Sequence, residues 1–193
     1  MSQTPFPMPE TVRALHRTPE GVPIPWNTEW DSSENRRIVQ RLTPAPRLDC
    51  DCIIGRGEPR MGGQCPSRQR MAVTGRLCGV CGTPVDARTS VAWISATPGA
   101  SLVEPGAHPA CLAYAMCACP HLQHLLHRSR VIECQEYAVA ESHIVLREGA
   151  ALERVPAPLD STRPGLLDFY VSLPHESRTT YARRWLDEQT ARN

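Results

Sequence analysis

Two short runs of the chain carry the residue types that bind a soft metal ion. Cys78-Gly79-Val80-Cys81-Gly82 sets two thiols two residues apart in a glycine-flanked stretch, where a tight turn brings both sulfurs to one point. His108-Pro109-Ala110-Cys111 sets an imidazole and a thiol three apart at the start of an expected helix. There both side chains share a face, with Cβ atoms about 5–6 Å apart. Zn2+ takes four such N and S donors in a tetrahedron, and the positive end of a helix favours the Cys111 thiolate. The spacing therefore predicts one structural zinc site made by Cys78, Cys81, His108 and Cys111. Cys119 is a poor substitute for His108, because a continuous helix puts it roughly 12 Å beyond Cys111 at ~1.5 Å per residue. Four protein ligands close the coordination sphere, which is the structural and not the catalytic pattern.

The chain has nine cysteines. Cys50-Asp51-Cys52 with Cys65 offers three candidate ligands for a second ion, with Cys119 or His121 to complete the set. Cys117 and Cys134 read as core fillers. An odd number excludes complete internal pairing. The N-terminal run lacks a signal-like apolar segment, and no stretch reaches the ~18–20 apolar residues of a membrane span. A reducing, cytoplasmic setting with metal-bound thiols is the expectation.

All 21 basic residues are Arg, and the net charge is +1, so no global field draws the protein to nucleic acid. The absence of Lys is read as the codon bias of a high-GC genome. Locally, residues 36–76 hold nine Arg against Asp49, Asp51 and Glu58. Arg suits phosphate and guanine contacts, and Arg36, Arg37, Arg41, Arg68 and Arg70 are the candidate nucleic-acid ligands. No aromatic residue lies between Asp31 and Ala92, so duplex phosphates are favoured over stacked single strands. His121, His124 and His127 fall three apart, but no Asp-His or positioning Asn accompanies them as a zinc-braced nuclease would need. They are expected on a solvated or half-buried face. No nucleophile elbow, Walker A or dinucleotide fingerprint occurs.

The elements that must position these residues are short. Only 5% of residues are aromatic, and Pro occurs 19 times, which predicts a modest core and many turns. Residues 1–44 read as a proline-punctuated arm, with an extended Gly21–Trp26 and a helix over 31–44 ending at Pro44. Residues 45–77 read as a basic irregular segment. Residues 78–130 read as a knuckle, a hairpin (90–96 and 100–103 about a Pro98-Gly99 turn) and a helix over 109–117 with Pro109 at its first position. A further turn follows at 121–127. Residues 131–193 read as an extension with strands over 131–147 and 165–173. A closing helix over 179–189 would set Tyr181, Trp185 and Leu186 on one face. Knuckle, hairpin and ligand-bearing helix in that order predict a small α+β, treble-clef-like zinc core.

Three stretches, Gly21–Trp26 (GVPIPW), Cys78–Gly82 (CGVCG) and Glu104–Leu122 (EPGAHPACLAYAMCACPHL), together resemble a group of small uncharacterised zinc-binding proteins of actinobacterial phages and high-GC bacteria. About a third of the chain is covered. The resemblance implies a zinc-binding fold and a phage or mobile-element setting, and it supplies no activity. The sequence reading is thus a non-catalytic accessory or regulatory zinc protein acting on DNA. The alternative is an adaptor that binds a host protein, and a metal-dependent nuclease of the HNH kind stands a distant third.

Overall fold

A computed structural model describes residues 6–30, 36–39, 46–97, 102–146, 152–156 and 165–192. In chain order the elements are α1 (Glu10–Arg13), β1 (Thr28–Trp30), β2 (Arg36–Val39), β3 (Arg47–Cys50), β4 (Pro59–Gln64) and α2 (Pro66–Gly75). Then come β5 (Val91–Ser95), α3 (Pro109–Ala118), α4 (Pro120–Leu125), β6 (Arg130–Cys134) and β7 (Tyr137–Leu146). The chain closes with β8 (Leu152–Pro156), β9 (Gly165–Pro174), β10 (Arg178–Tyr181) and α5 (Ala182–Thr190). The class is α+β, as the sequence predicts. The strands form a β1-β4 ribbon, a three-stranded sheet ordered β10-β6-β5 and a five-stranded sheet ordered β2-β3-β9-β7-β8. Among the described residues no helix is long and apolar enough to cross a membrane.

Two buried clusters organise these elements. The larger one surrounds Cys78, Cys81 and Cys111 with Val12, Trp93, Leu112, Met116, Val131 and Trp185. The smaller one joins Ile24 and Trp30 to Cys50, Cys52 and Cys65. The C-terminal third is therefore not an appendage. Ile132, Cys134, Trp185 and Leu186 fill the same core as the predicted zinc ligands.

Helix α2 spans the distance between the two cysteine clusters. Its N-cap is Cys65, and its C-cap Arg76 has a left-handed φ of 52°, which turns the chain toward Cys78 two residues later. Polar groups hold this helix in place. Gln69, fully buried, accepts from Tyr170 N at 3.0 Å and donates to Tyr170 O at 2.7 Å, so its amide acts as a ladder partner for β9. Arg70 donates to Leu48 O on β3 and Asp168 O on β9 at 2.7 and 2.6 Å. It also pairs with Asp49 at 2.6 Å. Burial pushes the Asp49 carboxyl up, but Ser67, Arg47 and Arg70 outweigh it and hold the pKa below the usual value.

Several expected elements differ. The helix predicted over 31–44 is replaced at 36–39 by β2, which pairs in register with β3 (Ile38↔Leu48); the remainder of that range lies outside the described residues. Segment 45–77 is not irregular but holds β3, β4 and α2. Of the hairpin return predicted at 100–103 only Leu102 and Val103 are described, and they are not paired with β5. Leu102 bridges Ser172, and Ala107 takes the place beside Ala92, while the Pro98-Gly99 turn lies outside the described residues. At the C-terminus Thr179 and Thr180 pair with Ile132 and Val131, so the helix starts later. Ala182 then faces inward with Trp185, and Tyr181 stays 61% exposed over Arg130.

Replacing Arg70 with Met removes the donor from two carbonyls and one of the partners of the Asp49 carboxylate, which keeps Arg47 and Ser67, and the expected loss in urea unfolding is about 3 kcal/mol. The exposed Arg37–Asp51 pair at 3.0 Å is the internal control, since Arg37→Ser is expected to cost under ~1 kcal/mol.

Candidate metal centres

The first centre begins with the knuckle. Gly82 N–H donates to Cys78 O at 2.7 Å and Cys78 N–H to Thr83 O at 2.9 Å, which folds Cys78–Thr83 back on itself. Gly82 has φ +77°, and a Cβ there would lie 2.5 Å from Trp26 Cγ, so both backbone angle and space require glycine. The Gly21–Trp26 arm docks on this turn, with Trp26 N–H donating to Val80 O at 2.8 Å. On the other side, His108 is the N-cap of α3, whose first residue is Pro109. Gly79 N–H donates to Gly106 O at 2.9 Å, fixing the knuckle to the lead-in of that helix.

The result is that one donor atom from each of Cys78, Cys81, His108 and Cys111 lies within 4.8 Å of every other. His108 Nδ1 is 3.5 Å from Cys81 Sγ and 3.8 Å from Cys111 Sγ. A tetrahedral ion with arms of ~2.3 Å to sulfur and ~2.0–2.1 Å to nitrogen would set S and N about 3.6 Å apart. His108 Nε2 is 3.1 Å from Pro84 O. A carbonyl can only accept, so Nε2 carries a proton, and Nδ1, which faces the three sulfurs, is the nitrogen left to take an ion once its own proton is displaced. Thr83 Oγ1 lies 3.1 Å from Cys81 Sγ and Thr11 Oγ1 3.8 Å from Cys111 Sγ, an outer layer of hydroxyls suited to thiolates. These four residues could hold a metal ion.

The four groups also compete for protons. Contacts with Cys111 and Cys78 hold the Cys81 thiol far below its ordinary value, and contacts with Cys78 and Cys81 drive Cys111 far up. The same two sulfurs raise His108 to about 10. An arriving cation must displace whatever protons remain.

The second group is Cys50, Cys52 and Cys65, all buried and again within 4.8 Å of one another. Cys50 ends β3, and its N–H donates to Ser67 Oγ at 2.8 Å. Cys65 caps α2, and its N–H donates to Asn27 O at 2.9 Å. Cys52 Sγ accepts from Trp30 N–H at 3.5 Å and from Arg68 Nη2 at 3.0 Å. Burial pushes the Cys50 thiol up to about 12 and also raises Cys65. For Cys52 burial is outweighed by the Trp30 amide, Cys50 and Arg68, and the thiol is lowered.

Other expected residues are placed elsewhere. Cys119, offered as a fourth ligand of the second set, caps the end of α3 and joins neither cysteine group among the described residues; nor does His121. Cys134 is buried and Cys117 half-buried. His121, His124 and His127 are exposed. The basic cluster does not form one surface. Arg68 and Arg70 are 8% and 6% exposed and are spent on internal acceptors, so they present nothing to a phosphate. Arg37 is exposed and paired to Asp51, Arg36 lies on edge strand β2, and Arg41 lies outside the described residues. Sequence reasoning missed the inward role of Arg68. Its position three residues after Cys65, in the first turn of a helix capped by that cysteine, is the signal that could have revealed it.

Comparison with known proteins adds no further assignment: no family model, curated protein or solved structure matches the chain.

Metal binding at the first centre is expected to release protons from His108 and Cys111 near neutral pH, because His108 is held up to about 10. Affinity then falls as pH falls, by about tenfold per pH unit for each proton displaced. Calorimetry in buffers of different ionisation enthalpy reads this directly. Zero proton release between about pH 7 and 8 would contradict it. A separate check is Gly82→Ala, expected to destabilise by ~2 kcal/mol or more through its positive φ and the Trp26 overlap, read as a lower urea midpoint.

Proposed function

We propose that the protein is a non-catalytic, zinc-stabilised binding module that engages a partner protein. The donor set of three thiols and one imidazole, closed by four protein ligands, supports zinc in a structural role. The observation that carries the partner class is an apolar cleft of about 510 Å³ beside the first centre. Its walls come from elements that the knuckle brings together, including Pro23 and Pro25 of the arm, Val80 of the knuckle, Trp93 of β5 and Leu112 and Leu122 of the helices. Glu20 and Glu104 also line it. An apolar segment flanked by a basic residue is the chemistry such a cleft accepts. In the phage or mobile-element setting suggested by the sequence resemblance, that segment would belong to a host protein.

The inward turn of Arg68 and Arg70 supports this reading over DNA binding, because it removes two of the five residues on which a phosphate-binding surface depended. The two readings separate by salt dependence. A partner held by apolar burial keeps its affinity as salt rises, whereas a phosphate binder shows a steep negative slope.

Peptides selected against the full-length protein from a random library are expected to carry an apolar anchor. Their affinity should fall at least about tenfold in Met61→Glu, a half-exposed cleft residue, with zinc content unchanged. Duplex-DNA affinity with a steep salt slope that flattens in an Arg36→Ser/Arg37→Ser variant would overturn the reading in favour of DNA.

A further inference from the structure

We propose that Cys50, Cys52 and Cys65 bind a second zinc ion as a tris-thiolate centre whose charge is balanced by the buried guanidinium of Arg68. The proposal rests on neither the first centre nor the cleft.

Arg68 is 8% exposed, and a guanidinium keeps its charge at any pH the protein meets. A buried charge needs a counter-charge. The hydrogen bonds of Arg68 go to Thr28 O at 2.5 Å, Cys52 O at 3.0 Å and Cys52 Sγ at 3.0 Å. The first two acceptors are neutral carbonyls. The Cys52 sulfur is therefore the group placed to carry the anion, and it does so only as a thiolate.

One thiolate would satisfy Arg68 without any metal, but the sulfur is not alone. Cys50 and Cys65 put their sulfurs within 4.8 Å of it and of each other, in a pocket otherwise made by Ile24, Trp30 and Ile54. Three sulfurs converging in an apolar pocket are the soft donor set that selects zinc among the divalent ions. A divalent ion with three thiolates carries one net negative charge, and Arg68 cancels it. The surroundings also resemble an outer shell that orients ligands. Trp30 N–H points at Cys52 Sγ, and Ser67 Oγ holds the Cys50 backbone at 2.8 Å. Cys65 opens a ten-residue helix, where the positive end favours a thiolate.

The test uses the full-length protein, expressed with zinc and kept reduced. Two zinc ions per chain are expected in the parent and one in Cys52→Ser. Arg68→Met should lose the second ion to a competing chelator at a 10–100-fold lower concentration than the parent does, with the first ion unmoved, and Arg68→Lys should recover part of that loss. If Cys52→Ser does not fold, Co2+ exchange into the parent decides. Thiolate-to-metal absorption that rises in two equal steps and saturates at two equivalents supports the second centre. Saturation at one equivalent, or two zinc ions retained in both Cys52→Ser and Cys65→Ser, would overturn it.

Discussion

Four donor groups converge where the Cys78–Gly82 turn meets the start of α3, and the larger buried cluster, drawn from both ends of the chain, is arranged around that junction. A chain this poor in aromatic residues has little apolar area with which to hold so many short elements together. Several of those elements are too short to be stable alone. An ion held by these four donors would supply the missing cross-link, because its binding energy is folding energy when the site does not exist in the unfolded chain. The Trp26 arm bonds to the knuckle, α3 carries Cys111, and β5 joins them by pairing Ala92 with Ala107, next to His108.

Helix α2 extends this order to the second cysteine group. It begins at Cys65 and ends just before Cys78, while residues 24–30 run alongside, touching Gly79 and Val80 at one end and Cys65 and Arg68 at the other. The five-stranded sheet is attached through the polar face of the same helix, by Gln69 and Arg70. The structure is thus two cysteine-lined clusters joined by a helix and an arm, with the sheet hung from the helix.

The convergence of Cys78, Cys81, His108 and Cys111 was legible because ligand spacing is local: a glycine turn and a helix start each fix two donors. Helix α3 was legible from Pro109 for the same reason. Helix α2 was not, because its buried residues include Arg68, Gln69 and Arg70 beside Ala72 and Val73, and hydrophobic periodicity cannot see a helix anchored by hydrogen bonds. Those Arg residues were read as surface charge on the general tendency of Arg to be exposed. The burial of Arg70 depends on carbonyls of β3 and β9, the latter about a hundred residues away in sequence (Asp168), and that of Arg68 on the carbonyls of Thr28 and Cys52. Strand β2 falls inside the stretch that Pro44 marked as the end of a helix, whereas pairing with β3 decides its backbone. Cys119 was considered for the second ion on type alone; its place at the far end of α3 followed from spacing, but where that end lies relative to Cys50, Cys52 and Cys65 depends on tertiary packing that spacing does not carry.

Removing the metal from purified, reduced protein and following the near-ultraviolet dichroism of its tryptophans addresses the central point. Trp26 packs on Gly82, and Trp93 and Trp185 lie in the core around the first centre. The fixed tryptophan signal should therefore collapse on chelation and return when zinc is added back. A metal-free protein that keeps this signal and melts at the temperature of the untreated one would contradict the account.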